Sequence, residues 1–209
     1  MIIFNYRTDL AERVLKCSHT VAERAVKLNA DVDDSKFNVI NHGDIWISNL
    51  LFKYDDYEKK PLSVKFVDFQ LSHYQTLGWD LAYFLYTSLL GDFRRKHYKE
   101  LVNDYLIALR ETLLMYGYPE HEVPTLDDVY KDLERVNLYS FIICTLTHPI
   151  MTMPLEHTYS LNEGLQPEIY ENCGYNLDVF RGSYKEELGP DILNFAKLGT
   201  LLVLQFNLK

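Results

Sequence analysis

Asn41-His42-Gly43-Asp44-Ile45-Trp46-Ile47-Ser48-Asn49, with Val67-Asp68-Phe69-Gln70 placing a second aspartate nineteen residues beyond Asn49, is the stretch on which the reading of this chain turns. Phe37-Asn38-Val39-Ile40 leads into it as a short strand. Leu50-Leu51-Phe52 and Val64-Lys65-Phe66-Val67 read as two more strands, joined through the charged turn Tyr54 to Pro61. This order predicts that the loop bearing His42, Asp44 and Asn49 and the loop bearing Asp68 lie at the same end of a small β-hairpin.

Two carboxylates and one carboxamide in this arrangement have a definite chemistry. Phosphoryl transfer asks for a carboxylate beside the attacking hydroxyl, and for oxygen ligands that hold Mg²⁺ against phosphate oxygens. Taken singly, Asp44 reads as a turn residue, Asn49 as a strand start and Asp68 as a strand-end cap. Their joint order and spacing favour the site over the three separate structural roles. A metal-hydrolase centre built on His42, Asp44 and His73 is disfavoured, because no HxH or HExxH spacing supplies converging ligands.

Outward from these loops the chain is mainly helical. From Thr8 to about Asn29, Leu10, Val14, Val21, Ala25 and Leu28 recur at three-, four- and seven-residue steps, which predicts one amphipathic helix. Helical spacing returns over Gly78–Leu90, Phe93–Tyr116 and Thr125–Leu146, punctuated by Gly117-Tyr118-Pro119 and Val123-Pro124. Prolines and glycines break the pattern between Thr147 and Pro190, where loops with short helical pieces are expected. A last helix is expected from Asp191 to about Phe206.

The 209 residues fit one well-buried domain. Thirty acidic against 21 basic side chains, a formal charge of −9, disfavour a nucleic-acid or anionic-membrane surface, which needs excess Lys and Arg. Cys17, Cys144 and Cys173 are odd in number and show no CxxC spacing, so neither a disulfide framework nor a zinc site is indicated. Arg7 and Asp9 interrupt the start before an apolar core of signal-peptide length forms, and no later apolar run reaches the ~18 residues of a membrane span. A soluble, cytoplasmic protein is expected.

The run HGDIWISN, then VDFQ, then Trp79-Asp80-Leu81-Ala82-Tyr83-Phe84-Leu85 resembles the catalytic region shared by aminoglycoside phosphotransferases, choline kinases and ecdysteroid kinase-like (CHK kinase-like) proteins. The wording NHGDIWISNLLF and VDFQLSHY is most similar to the ecdysteroid kinase-like branch. The likeness is specific from Asn41 to Leu85 and general beyond it. It implies an α+β, mainly helical fold: the C-terminal lobe of a protein-kinase-like fold, with a small β-hairpin carrying the catalytic and metal loops.

Carried over by position, the resemblance makes Asp44 the base that accepts the substrate hydroxyl's proton and His42 a brace of the catalytic loop. Asn49 and Asp68 become Mg²⁺ ligands, and Asp80 a structural support that hydrogen-bonds the loop backbone. ATP and Mg²⁺ are the implied cofactors, and a small lipophilic alcohol, an ecdysteroid first, the implied acceptor. Gly43 stands where protein kinases have an Arg that pairs with a phosphorylated loop, which favours a small-molecule acceptor over a protein one. Residues Thr145 to Tyr175 are expected to line the acceptor pocket.

No glycine precedes Gly43, and Lys16, Lys27 and Lys36 lie on or just after the first helix, so no Gly-rich loop or strand lysine is available to clamp a nucleotide. The expectation is a single lobe over residues 1–209 without the N-terminal lobe, impaired in activity, with an exposed inter-lobe surface that favours self-association. Two rivals stay open. One is a catalytically silent, kinase-like binding protein; the other is an aminoglycoside- or choline-type kinase, whose cationic acceptor would need an acidic or aromatic cage.

Overall fold

The computed structural model describes residues 2–152 and 184–202. Two helices, α1 (Ile2–Ser18) and α2 (Val21–Ala30), precede four short strands: β1 (Asn38–Asn41), β2 (Leu50–Tyr54), β3 (Pro61–Phe66) and β4 (His73–Thr76). Helices α3 (Gly78–Thr87), α4 (Gly91–Met115), α5 (Leu126–Arg135), α6 (Asn137–Ile142), α7 (His148–Thr152) and α8 (Tyr184–Lys197) complete the described architecture. It is α+β and mainly helical. No helix among the described residues is long and apolar enough to cross a membrane.

The strands form two separate antiparallel pairs. β2 and β3 make a hairpin in the register Leu50↔Phe66 to Tyr54↔Pro61, with an irregularity at Lys53/Tyr54. Its turn is held by Asp55, whose carboxylate accepts the backbone N–H groups of Tyr57, Glu58 and Lys60 at 2.9, 2.5 and 2.6 Å. β1 pairs with β4, from Asn38↔Thr76 to Asn41↔His73. The sequence pattern shows the hairpin and misses β4, because His73-Tyr74-Gln75-Thr76 has no apolar alternation. Gln75 and Thr76 are buried all the same, and Gln75 donates to the carbonyls of Asn29 and Asp31.

The core gathers around α3, of whose ten residues eight are buried. A helix apolar on nearly all sides belongs in an interior rather than on a surface, and α3 packs against α4, α5 and α6. On α5 the inward face is Leu126, Val129, Tyr130 and Leu133, a helical i, i+3, i+4, i+7 stripe. Its start is a capping box: Thr125 Oγ1 accepts the Asp128 N–H, and the Asp128 carboxylate accepts the Thr125 N–H. Thr125→Ala is expected to cost about 1 kcal/mol, read as a lower urea midpoint with unchanged slope.

Three expected helices are divided or moved. The periodicity over Thr8–Asn29 belongs to two helices, because at the junction Ser18 and Thr20 turn their hydroxyls back onto the carbonyls of Leu15 and Cys17. Such local bonds compete with helix propagation. The stretch Thr125–Leu146 is interrupted at Val136 and then widens into a π-helical turn over Ile143–Thr147. The last helix starts at Tyr184 and ends at Lys197. Residues 153–183, most of the expected loop region and of the expected acceptor segment, lie outside the described residues, as do 203–209.

The β2–β3 hairpin has little cover on either face. Leu51, Phe52, Tyr54, Leu62, Val64 and Phe66 are all exposed. Burial therefore does not set its position; it is tied to the body through the backbone at its base, which is where the candidate site lies.

Candidate active site

Asp80, in the first turn of α3, organises the loop after β1. Its carboxylate accepts the N–H of His42 at 2.6 Å on one oxygen and that of Gly43 at 2.9 Å on the other. A negative charge at a helix N-terminus is also favoured by the helix dipole. The Asp80 N–H donates to Asn41 Oδ1 at 3.2 Å, and Asn41 Nδ2 donates to the carbonyls of Gln75 and Thr76. One half-buried carboxylate and one buried amide thus lock the end of β1 to the start of α3.

Gly43 is a geometric requirement. Its φ is +83°, and a Cβ placed there would lie 2.1 Å from the Leu71 carbonyl oxygen. Gly43 thus does more than stand where protein kinases have an arginine. The structure adds that the backbone of the Asp68 loop crosses directly over it, leaving no room for any side chain.

His42 bridges the two loops from beneath. Its Nε2 lies 2.9 Å from the Val67 carbonyl, and its Nδ1 accepts the Asp44 N–H at 3.3 Å. The tautomer with the proton on Nε2 satisfies both contacts. The ring stacks at a tilt on Phe69, centroids 4.5 Å apart. His42 is buried and acts as a brace.

Asp44 and Asn49 meet directly. Asn49 Nδ2 donates to the Asp44 backbone carbonyl at 2.8 Å and to its carboxylate at 3.0 Å. With both amide protons so used, Asn49 Oδ1 has no donor among the described residues and is available as a ligand oxygen. Asp68 joins through the backbone: the Val67 N–H donates to the Asn49 carbonyl at 3.1 Å, while the Val67 carbonyl faces His42. Asp68 itself adopts the left-handed conformation, φ +68° and ψ +61°, at the start of a short 3₁₀ turn. Few non-glycine residues sit there, Asp and Asn most readily. Its carboxylate is exposed, and among the described residues its one side-chain partner is Gln70 Nε2 at 3.5 Å.

One participant was not singled out from sequence. The Tyr83 hydroxyl donates to Asp44 Oδ1 at 2.7 Å. Burial first, and then that bond to the carboxylate, push the Tyr83 phenol well above its ordinary range, so it remains a donor. Tyr139 stacks behind it, centroids 6.4 Å apart, and is likewise pushed up by burial and by the nearby Asp80 and Asp44. The signal was present: Tyr83 follows Asp80 by three residues, so both face the same loop from one side of α3.

No ion pair among the described residues involves Asp44, Asp68 or Asp80. Nor do three His, Cys, Asp or Glu side chains converge there as a metal site. Asn49 Oδ1 and the Asp68 carboxylate are hard oxygen donors of the kind Mg²⁺ takes alongside water and phosphate, and the Asp44 carboxylate is bonded to the same Asn49.

A mainly helical α+β lobe with an HGDxxxxN loop bonded to an aspartate-bearing loop defines the class of kinase-like phosphotransferases. Residues 4–118, more than half of the chain, match the model of the ecdysteroid kinase-like family, and the chain belongs to that family. The match spans α1 through α4 and takes in His42, Asp44, Asn49, Asp68, Asp80 and Tyr83. No curated protein and no solved structure matches the chain.

Proposed function

We propose that this chain carries the catalytic loops of an ATP- and Mg²⁺-dependent kinase that phosphorylates a hydroxyl of a small lipophilic alcohol, with an ecdysteroid as the first candidate. The observation that carries the reading is the shared frame in which Asp44 bonds Asn49 while Val67, next to Asp68, bonds both Asn49 and His42.

In this reading Asp44 accepts the proton of the acceptor hydroxyl. Its carboxylate is aimed for that purpose by Tyr83 on one oxygen and Asn49 on the other. Asn49 Oδ1 and the Asp68 carboxylate would hold Mg²⁺, which neutralises charge on the nucleotide's phosphates when bound. The exposed Asp68 carboxylate, with no ion pair among the described residues, and the Asn49 oxygen fit such a cation. Asp80 and His42 hold the two loops in register, which matters because positioning supplies most of the catalysis in phosphoryl transfer.

The test is transfer of labelled phosphate from [γ-³²P]ATP to ecdysone in the presence of Mg²⁺. Product formed by the wild type and absent from Asp68→Asn supports the reading; product formed equally by Asp68→Asn refutes it. Tyr83→Phe removes one charge-assisted hydrogen bond, about 1.5 kcal/mol, and is expected to lower kcat about tenfold. The KM for ATP should not move, because Tyr83 touches the base and not the proposed metal ligands. A raised KM with unchanged kcat would remove Tyr83 from this role.

A further inference from the structure

A second site lies apart from these loops. A cleft of about 840 Å³ opens between α4, α5 and α8, and no residue of the His42–Asn49 or Val67–Gln70 stretches lines it. That volume is within the range of small-molecule sites. Three tyrosines form its wall. Tyr86 is buried against the core, and Tyr98 and Tyr130 stack with ring centroids 6.5 Å apart and planes 25° from parallel. None of the three hydroxyls has a hydrogen-bond partner among the described residues, and burial pushes the Tyr98 phenol up to about 12, so it stays a donor at neutral pH.

The charge of the cleft opposes that of the chain. Its lining carries five basic and three acidic side chains, an excess of two positive charges in a protein of net −9. Lys96, Lys99 and Lys197 have no ion-pair partner among the described residues. On the acidic side, Asp191 is engaged by Arg94 and Arg95, and Glu100 by His97. Glu134 alone of the three acids has no partner among the described residues. Lys96, Lys99 and Lys197 are exposed and set positive charge along the same cleft as the aromatic wall, a potential that favours an anion there.

We propose that this cleft binds a small organic anion, its ring body against Tyr98 and Tyr130 and its phosphate, sulfate or carboxylate group among Lys96, Lys99 and Lys197. The aromatic wall supplies apolar contact and phenolic donors, while the ammonium groups supply charge. The site is independent of the phosphotransfer reading and stands or falls separately from it.

The experiment is calorimetric titration of the chain with 1-naphthyl phosphate, alongside 1-naphthol and inorganic phosphate. Saturable one-to-one binding of the ester is expected, with each fragment weaker by about tenfold or more. Lys99→Glu combined with Lys197→Glu should weaken the ester by about tenfold or more, while Asp44→Asn and Asp68→Asn leave it unchanged. Glu134→Gln should tighten binding by about twofold to fivefold, a gain that misfolding cannot imitate. No saturation, unchanged affinity in both the lysine double variant and Glu134→Gln, or loss of binding in Asp44→Asn would overturn the proposal. Inorganic phosphate binding as tightly as the ester would remove the aromatic half of it.

Discussion

Asp191→Ala is expected to cost about 3–5 kcal/mol of folding stability, the range found when one partner of a buried ion pair is removed. Asp191 is 5% exposed and Arg94 4%, and their oxygen and nitrogen lie 2.5 Å apart. Arg95 donates to the same carboxylate oxygen at 2.7 Å. The Arg94 guanidinium sits 4.2 Å from the centre of the Tyr86 ring, and its other donor contact is the Leu85 carbonyl at 3.3 Å.

Without Asp191 a full positive charge would remain in the core with one carbonyl and one ring face to replace water. The pair joins α4 to α8, so the loss should appear in global unfolding rather than as local fraying. Urea denaturation followed by circular dichroism checks it. Glu23→Ala, which cuts an exposed helix-surface pair with Lys27, is the control and should leave the midpoint where it was. If Asp191→Ala behaved like that control, the buried pair would not be what fastens α8 to the core.

Asp44→Asn is expected to lower kcat by about 10²–10⁴-fold, the usual contribution of a positioned general base. Asparagine keeps the shape, and its carbonyl oxygen can still accept from Tyr83 or from Asn49, so the loop should keep its geometry. What disappears is the charge and the proton acceptor. The expected pattern is therefore a collapse in kcat with the KM for ATP little changed, measured with the acceptor that gives product. Asp80→Asn makes an informative comparison, since the Asp80 carboxylate accepts from the backbone of His42 and Gly43 and not from Asp44, Asn49 or Asp68. It should lower activity together with stability, whereas Asp44→Asn should lower activity alone.

The two candidate loops are legible because their spacing is written locally. Asp44 and Asn49 share one loop, Asp68 follows a strand that pairs with its sequence neighbour, and the hairpin between them is short. What sequence pattern missed was set by distant partners. β4 is a strand because β1, some 35 residues earlier, supplies its pairing and because buried Gln75 finds the carbonyls of Asn29 and Asp31. The break between α1 and α2 rests on two hydroxyls bonding backwards, an effect that apolar periodicity does not register. Tyr83 was hidden in a helix whose residues nearly all face the core, so one more aromatic there read as packing; only the 2.7 Å contact with Asp44 singles it out. The tyrosine cleft was invisible for the same reason, since its wall and its lysines come from α3, α4, α5 and α8.

The claim beneath the whole account is that Asn49 and Asp68 hold a single cation beside the base Asp44. The most direct measurement is a titration of isotope-labelled chain with Mn²⁺, followed by amide NMR. The account predicts that signals from residues 42–49 and 67–70 broaden together at the same metal concentration, recover on addition of excess Mg²⁺, and stay sharp in Asp68→Asn. Broadening confined to one of the two loops, or spread over the acidic surface without regard to either, would contradict it.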